Sequence, residues 1–146
     1  MLTVTKIFSF EMAHAIDGYP GPCRNVHGHS YELHVTVSST ARGDEYIPAP
    51  GFVLDFKELK QLVQSTVLET LDHKLVLSHT YLSKNSVLYS QENLVQWESE
   101  PTAENLLIYI RKILCEKLPA AVKLASLTLY ETKSSYAVWR NEHSFH

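Results

Sequence analysis

The sequence predicts an α+β protein in which an antiparallel β-sheet carries two helices packed on one face. Three observations lead there. The two ends of the chain are rich in β-branched and aromatic residues, and His29 to Ser38 alternates apolar and polar with period two. Two middle segments repeat their apolar residues at helical spacing behind N-cap residues. The element order, β-β-(β)-α-(β)-α-β-β, sets consecutive strands side by side.

Leu2 to Phe10 has the composition of a first strand and runs on into Glu11-Met-Ala-His14, after which Asp17-Gly-Tyr-Pro-Gly-Pro22 is a loop. In the second strand Tyr31, Leu33, Val35 and Val37 oppose Glu32, His34 and Thr36. His27 and His29 share the parity of the apolar side, at the end of the buried face. Ala41 to Gly51 is a turn-rich connection, whose Arg42-Gly-Asp44 reads as a turn and not as an adhesion motif, and Phe52-Val-Leu54 is expected as a short strand. Asp55 and Glu58 stand at the N-cap and N3 positions of a helix with Phe56, Leu59, Leu62, Val63, Val67 and Leu71 on one stripe, ending at Leu71-Asp72-His73. Residues 74–92 have no sustained period and predict no element, while Asn93 to Glu98 suggests a short strand. The second helix has Thr102 as N-cap, Glu104 in its first turn and Leu106, Leu107, Ile110, Ile113, Leu114 and Leu118 on its apolar face, with Pro119 ending it. Val122 to Thr132 is a strand, and Tyr136 to Arg140 is its hairpin partner.

With 146 residues, 45% hydrophobic and 20% charged, the chain reads as one globular domain, 1–146. A net charge of −3 gives no electrostatic case for nucleic acid or for an anionic membrane surface. The N-terminus lacks the layout of a signal peptide, no run is long enough to span a bilayer, and two cysteines make no disulfide framework. The expected location is cytoplasmic.

Chemistry concentrates in Cys23-Arg-Asn-Val-His27-Gly-His29. Two imidazoles one residue apart on a strand point the same way, and His14 on the preceding strand can join them across a hairpin. Neutral nitrogen ligands suit Zn²⁺, and three protein ligands leave a position open for catalysis. Cys23 is compatible with a fourth ligand, an idle thiol or a base whose pKa a nearby dication lowers. Cys115, beside the apolar stripe of the second helix, is expected to be a packing residue. In Asp72-His73 a carboxylate beside an imidazole can fix its tautomer and tune it for proton transfer. Glu131 ends an apolar strand and could accept two parallel hydrogen bonds from a guanidine-like ligand edge.

Phe10-x3-His14, Cys23-x3-His27-Gly-His29-x-Tyr31, Gly51-Phe-Val-Leu-Asp55-Phe, Leu71-Asp72-His73, Pro101-Thr-x-Glu-Asn and Glu131-Thr together resemble the 6-pyruvoyl-tetrahydropterin synthase family, in family order and over nearly the whole chain. The cysteine spacing resembles the bacterial 6-carboxy-tetrahydropterin synthase branch of queuosine biosynthesis. The resemblance implies the tunnelling fold, with subunits assembling side by side into a barrel: a trimer-based homo-oligomer, hexameric, with active sites at subunit interfaces. It implies Zn²⁺ on His14, His27 and His29, Cys23 as general base, and Asp72 and His73 as a proton relay that serves a neighbouring subunit's metal. Glu131, helped by Thr102 and Glu104, would anchor the pterin. The implied substrate is 7,8-dihydroneopterin triphosphate, with triphosphate elimination and, in the carboxy branch, loss of acetaldehyde. Elimination alone would give the 6-pyruvoyl product, and a non-catalytic zinc- or pterin-binding protein is the reading from another class. Arg24, Lys133 and Arg140 are the candidates for the triphosphate.

Overall fold

The computed structural model describes residues 1–41 and 43–142. Among them six strands form one sheet in the order β4-β3-β1-β2-β5-β6. β1 (Thr3–His14) and β2 (His27–Ser39) pair antiparallel along their whole length, with Phe10 opposite Tyr31, Met12 opposite His29 and His14 opposite His27. β5 (Val122–Thr132) pairs antiparallel with β2, and β6 (Ser135–Arg140) closes the hairpin at the far edge. The expected antiparallel sheet is thus present over four strands. On the other side of β1 it is extended by β3 (Lys74–Ser78) and β4 (Leu94–Trp97), both running parallel to their neighbours, so the sheet as a whole is mixed.

The first helical rod runs as α1 (Phe56–Val63), a π-helical turn (Gln64–Leu68) and α2 (Glu69–Leu71). Its N-cap is Asp55, whose carboxylate accepts the Lys57 N–H at 2.9 Å. α4 (Ala103–Lys117) is capped by Thr102, whose Oγ1 accepts the Asn105 N–H at 3.2 Å. Leu59, Val63, Val67 and Leu71 from the first rod and Leu106, Leu107, Ile110 and Leu114 from α4 join Phe8, Phe10, Tyr31, Leu33, Val35, Leu127 and Leu129 of the sheet in one buried cluster. Both rods therefore lie on one face, as predicted. The Phe10 and Tyr31 rings stack near the end of this core, with centroids 5.0 Å apart and planes 8° from parallel.

The connection from α2 to β4 departs from expectation. Residues 74–92 contain β3, the short helix α3 (His79–Lys84) and a 3₁₀ turn (Ser86–Ser90). Val76 joins the main core, whereas Leu75 and Leu77 point to the other face and form a second cluster with Ala15, Tyr81 and Leu82. Phe52-Val-Leu54 is not a strand. Leu54 instead precedes the N-cap Asp55 and is buried in the main core with Leu59, the two positions of a hydrophobic staple. Phe56, read as part of the apolar stripe, is 50% exposed. Cys115 is exposed and not a packing residue, since it falls outside the arc of α4 that faces the sheet. Arg42 lies outside the described residues, and Gly43-Asp44 falls in a turn. No described helix is long and apolar enough to cross a membrane.

Candidate metal centre

The β1–β2 register turns sequence spacing into a cluster. His14 and His27 are cross-strand partners, and His29 lies two residues further along β2 on the same face. Among the described residues, these three are the group able to hold a metal ion, with one ligand atom from each lying within 4.8 Å of the others. His14 is 2% exposed, and its ring meets those of His27 and His29 edge-on.

Main-chain carbonyls fix two of the tautomers. His14 Nδ1 lies 2.6 Å from the Pro101 carbonyl oxygen, and His27 Nδ1 lies 2.7 Å from that of Asn25. A carbonyl only accepts, so each Nδ1 carries the proton and each Nε2 presents a lone pair. Those two Nε2 atoms are 3.0 Å apart. Two neutral imidazoles would set lone pair against lone pair there, an arrangement that a shared cation relieves. His29 Nε2 is buried and makes no hydrogen bond, with Glu131 Oε1 3.2 Å away. Burial pushes the pKa of His14 down, reinforced by His27 and only partly offset by the Pro101 hydrogen bond. Burial also lowers that of His29, against the opposing pull of Glu131. Neutral nitrogen donors converging on one point, two of them held by outer partners, fit Zn²⁺. Tyr31, whose hydroxyl lies 3.5 Å from His14 Nδ1, is held strongly toward its neutral form by burial.

Beside the histidines, a cavity of about 210 Å³ is lined by His14, Ile16, Tyr19, Cys23, Thr102, Ala103, Glu104 and Glu131. Four residues singled out from the sequence alongside His14 thus share one cavity with it: Cys23, Thr102, Glu104 and Glu131. Cys23 is half-buried on the 3₁₀ turn Pro22–Arg24, and the Ile16 N–H donates to its carbonyl at 2.8 Å. Glu131 reaches the site because it shares the parity of the buried Leu127 and Leu129 on β5. Tyr19 and Ile16 were not anticipated. Tyr19 sits in a loop without periodicity, and its ring lies so near Gly21 that a Cβ there would be 2.4 Å from Tyr19 Cε1. The Asn25 and Pro101 carbonyls leave no mark in a sequence.

Asp72 and His73 stand apart from that cavity. They close α2 onto the edge of β1: Asp72 Oδ1 accepts the Glu11 N–H at 2.9 Å, and the His73 N–H donates to Glu11 O at 2.6 Å. The His73 ring, 78% exposed, lies 3.0 Å from the Asp72 carboxylate. It borders a different depression, together with Glu11, Gly28, His29 and Ser30. His73 has φ +62°, a left-handed conformation that costs a non-glycine residue energy and is often found at functional sites. Arg24, Lys133 and Arg140 are exposed, and none lines the cavity beside Cys23.

The chain is similar along nearly its whole length to proteins of known kind. It is 31% identical to the 6-carboxy-5,6,7,8-tetrahydropterin synthase of Haemophilus influenzae over 148 residues, covering 96% of this chain and 99% of that protein. It is also 31% identical to the dihydroneopterin monophosphate aldolase of Pyrococcus furiosus, over 84% of this chain and 83% of that one. Among solved structures, 6-pyruvoyl tetrahydropterin synthase from Caenorhabditis elegans superposes with a TM-score of 0.67 at 26% identity, covering 97% of this chain and 96% of that one. The 6-pyruvoyl tetrahydropterin synthase profile matches residues 3–142, a span that includes every histidine, cysteine and carboxylate of the site described above, and the chain belongs to that family.

Proposed function

We propose that this protein is a zinc-dependent lyase that converts 7,8-dihydroneopterin triphosphate and one water to 6-carboxy-5,6,7,8-tetrahydropterin, acetaldehyde and triphosphate. The water supplies the second carboxyl oxygen and the aldehyde's proton as the side-chain carbon–carbon bond breaks. The observation that carries the reading is the three-imidazole cluster opening beside a cavity that holds Cys23 and Glu131. The end-to-end similarity to the Haemophilus 6-carboxy synthase supports the choice of product.

His14, His27 and His29 would hold the zinc ion, which supplies Lewis-acid polarisation of the oxygens on the substrate side chain. Cys23 is the general base: its thiolate takes a proton from the side-chain carbon framework beside the ring. Glu131 accepts two hydrogen bonds from the 2-amino-pyrimidinone edge of the pterin and so sets which carbon faces Cys23. Thr102 and Glu104, at the start of α4, border the same cavity and help seat the ring. Asp72 orients His73, which carries protons to and from a site on an adjoining copy of the chain. That division of labour is supported by His73 bordering a different depression from the Cys23 cavity within one chain. It is also supported by the cavity's size, about 210 Å³ against the roughly 300–1,000 Å³ usual for small-molecule sites. A second copy would supply the missing wall in a trimer-based, hexameric assembly.

Product analysis tests the assignment. The zinc-loaded protein is incubated with 7,8-dihydroneopterin triphosphate and the products are weighed by mass spectrometry. A 6-carboxy pterin with acetaldehyde is expected. A 6-pyruvoyl product would keep the site and change the reaction, and zinc binding without turnover would make the protein a binder.

A further inference from the structure

The segment between β3 and β4 gave no signal in the sequence, yet it touches the loop that carries Cys23. Ser78 ends β3 as a fully buried N-cap, and its Oγ accepts the Tyr81 N–H at 3.0 Å. That cap starts α3 with Tyr81 and Leu82 turned inward against Leu75, Leu77 and Ala15. Tyr81 is 8% exposed, and its hydroxyl donates to the Arg24 carbonyl at 2.7 Å. A phenol is protonated at neutral pH, and burial with the neighbouring Asp17 carboxylate pushes its pKa further up, so the hydroxyl is a donor.

The Arg24 peptide has Cys23 on one side and, on the other, Asn25, whose carbonyl fixes the His27 tautomer. The loop's other tethers are local or weak. Ile16 N–H to Cys23 O and Arg24 N–H to Gly21 O close it on itself, and the Lys84–Asp17 pair at 3.1 Å involves a lysine that is 62% exposed. The Asp17 N–H does reach Glu100 Oε1, but six residues before Cys23. Tyr81 supplies a short, part-buried bond from the second core to the peptide that joins Cys23 to the metal-binding strand.

We propose that Tyr81 is a positioning residue for Cys23: its hydroxyl, held by the second core, fixes the Arg24 carbonyl and so sets where the thiol sits in the cavity. Its importance for turnover rests on the reading of Cys23 as the base.

Tyr81→Phe keeps the ring in its packing and removes only the hydroxyl. In a Cys115→Ser background, which leaves Cys23 as the one thiol, the rate of Cys23 alkylation and the hydrogen exchange of the Ile16 amide should both rise roughly 3–10-fold, as for one lost hydrogen bond. The kcat should fall by a similar factor, with KM moving less than twofold. Tyr109→Phe, which removes a hydroxyl bonded to Thr70 Oγ1 instead, should leave all of these unchanged. Unchanged alkylation and exchange in Tyr81→Phe would overturn the proposal, as would an equal effect of Lys84→Ala, which would assign the anchoring to the ion pair. A loosened loop in a protein that converts no pterin would uphold the anchor and refute the proposed reaction, so the two can fail separately.

Discussion

At His14 the two ring nitrogens have different partners: Nδ1 is bound by the Pro101 carbonyl, and Nε2 faces His27 Nε2 across 3.0 Å. A cluster arranged this way depends on each ring separately. His27→Ala should weaken zinc binding by more than the roughly 10–100-fold typical for loss of an outer-shell partner, as measured by competition with a chromogenic chelator. Full retention of zinc would show that the metal lies elsewhere. Cys23→Ala should retain zinc and lose about 10²–10⁴-fold in kcat, the usual range for a positioned acid or base. Wild-type turnover in that variant would remove Cys23 from the mechanism. The histidines were legible because strand parity is arithmetic: His14, His27 and His29 all fall on the side of Phe10 and Tyr31. Tyr19 and the Asn25 carbonyl were not, because loop geometry and main-chain acceptors have no period to read.

The elements divide by how they are buried. Strands with one wet face alternate, so β2 is plain in the sequence, and its wet face still bears the exposed Glu32. β3 is covered on both sides, by the main core at Val76 and by the second core at Leu75 and Leu77. It therefore reads as a three-residue apolar run with no period, which does not distinguish strand from helix. Leu54 misled for a related reason: an apolar triplet after a turn looks like a strand whether it pairs or staples a helix. The first helical rod offers a direct check. Leu59 is fully buried, so Leu59→Ala should cost about 2–5 kcal/mol in urea denaturation. Phe56, half-exposed on the same predicted stripe, should cost less than about 1 kcal/mol when changed to Ala. Equal costs would mean that Phe56 is covered in solution.

In one chain the pieces lie in two depressions, Cys23 and Glu131 in one and His73 in the other. If neighbouring copies bring them together, mixing two inactive variants will restore function. Cys23→Ala and His73→Ala protomers, unfolded together and refolded at equal ratio, should recover about a quarter of wild-type activity, because a quarter of random interfaces pair two intact halves. No recovery in a confirmed mixed oligomer would mean that both residues act within one chain. The zinc-dependent cleavage itself is tested most directly by acetaldehyde release from 7,8-dihydroneopterin triphosphate, followed in one sample through chelation and zinc repletion. The expected result is acetaldehyde equimolar with the 6-carboxy pterin, abolished by the chelator and restored by stoichiometric zinc. Acetaldehyde release that persists in metal-free protein, or zinc-restored consumption of substrate without acetaldehyde, would contradict it.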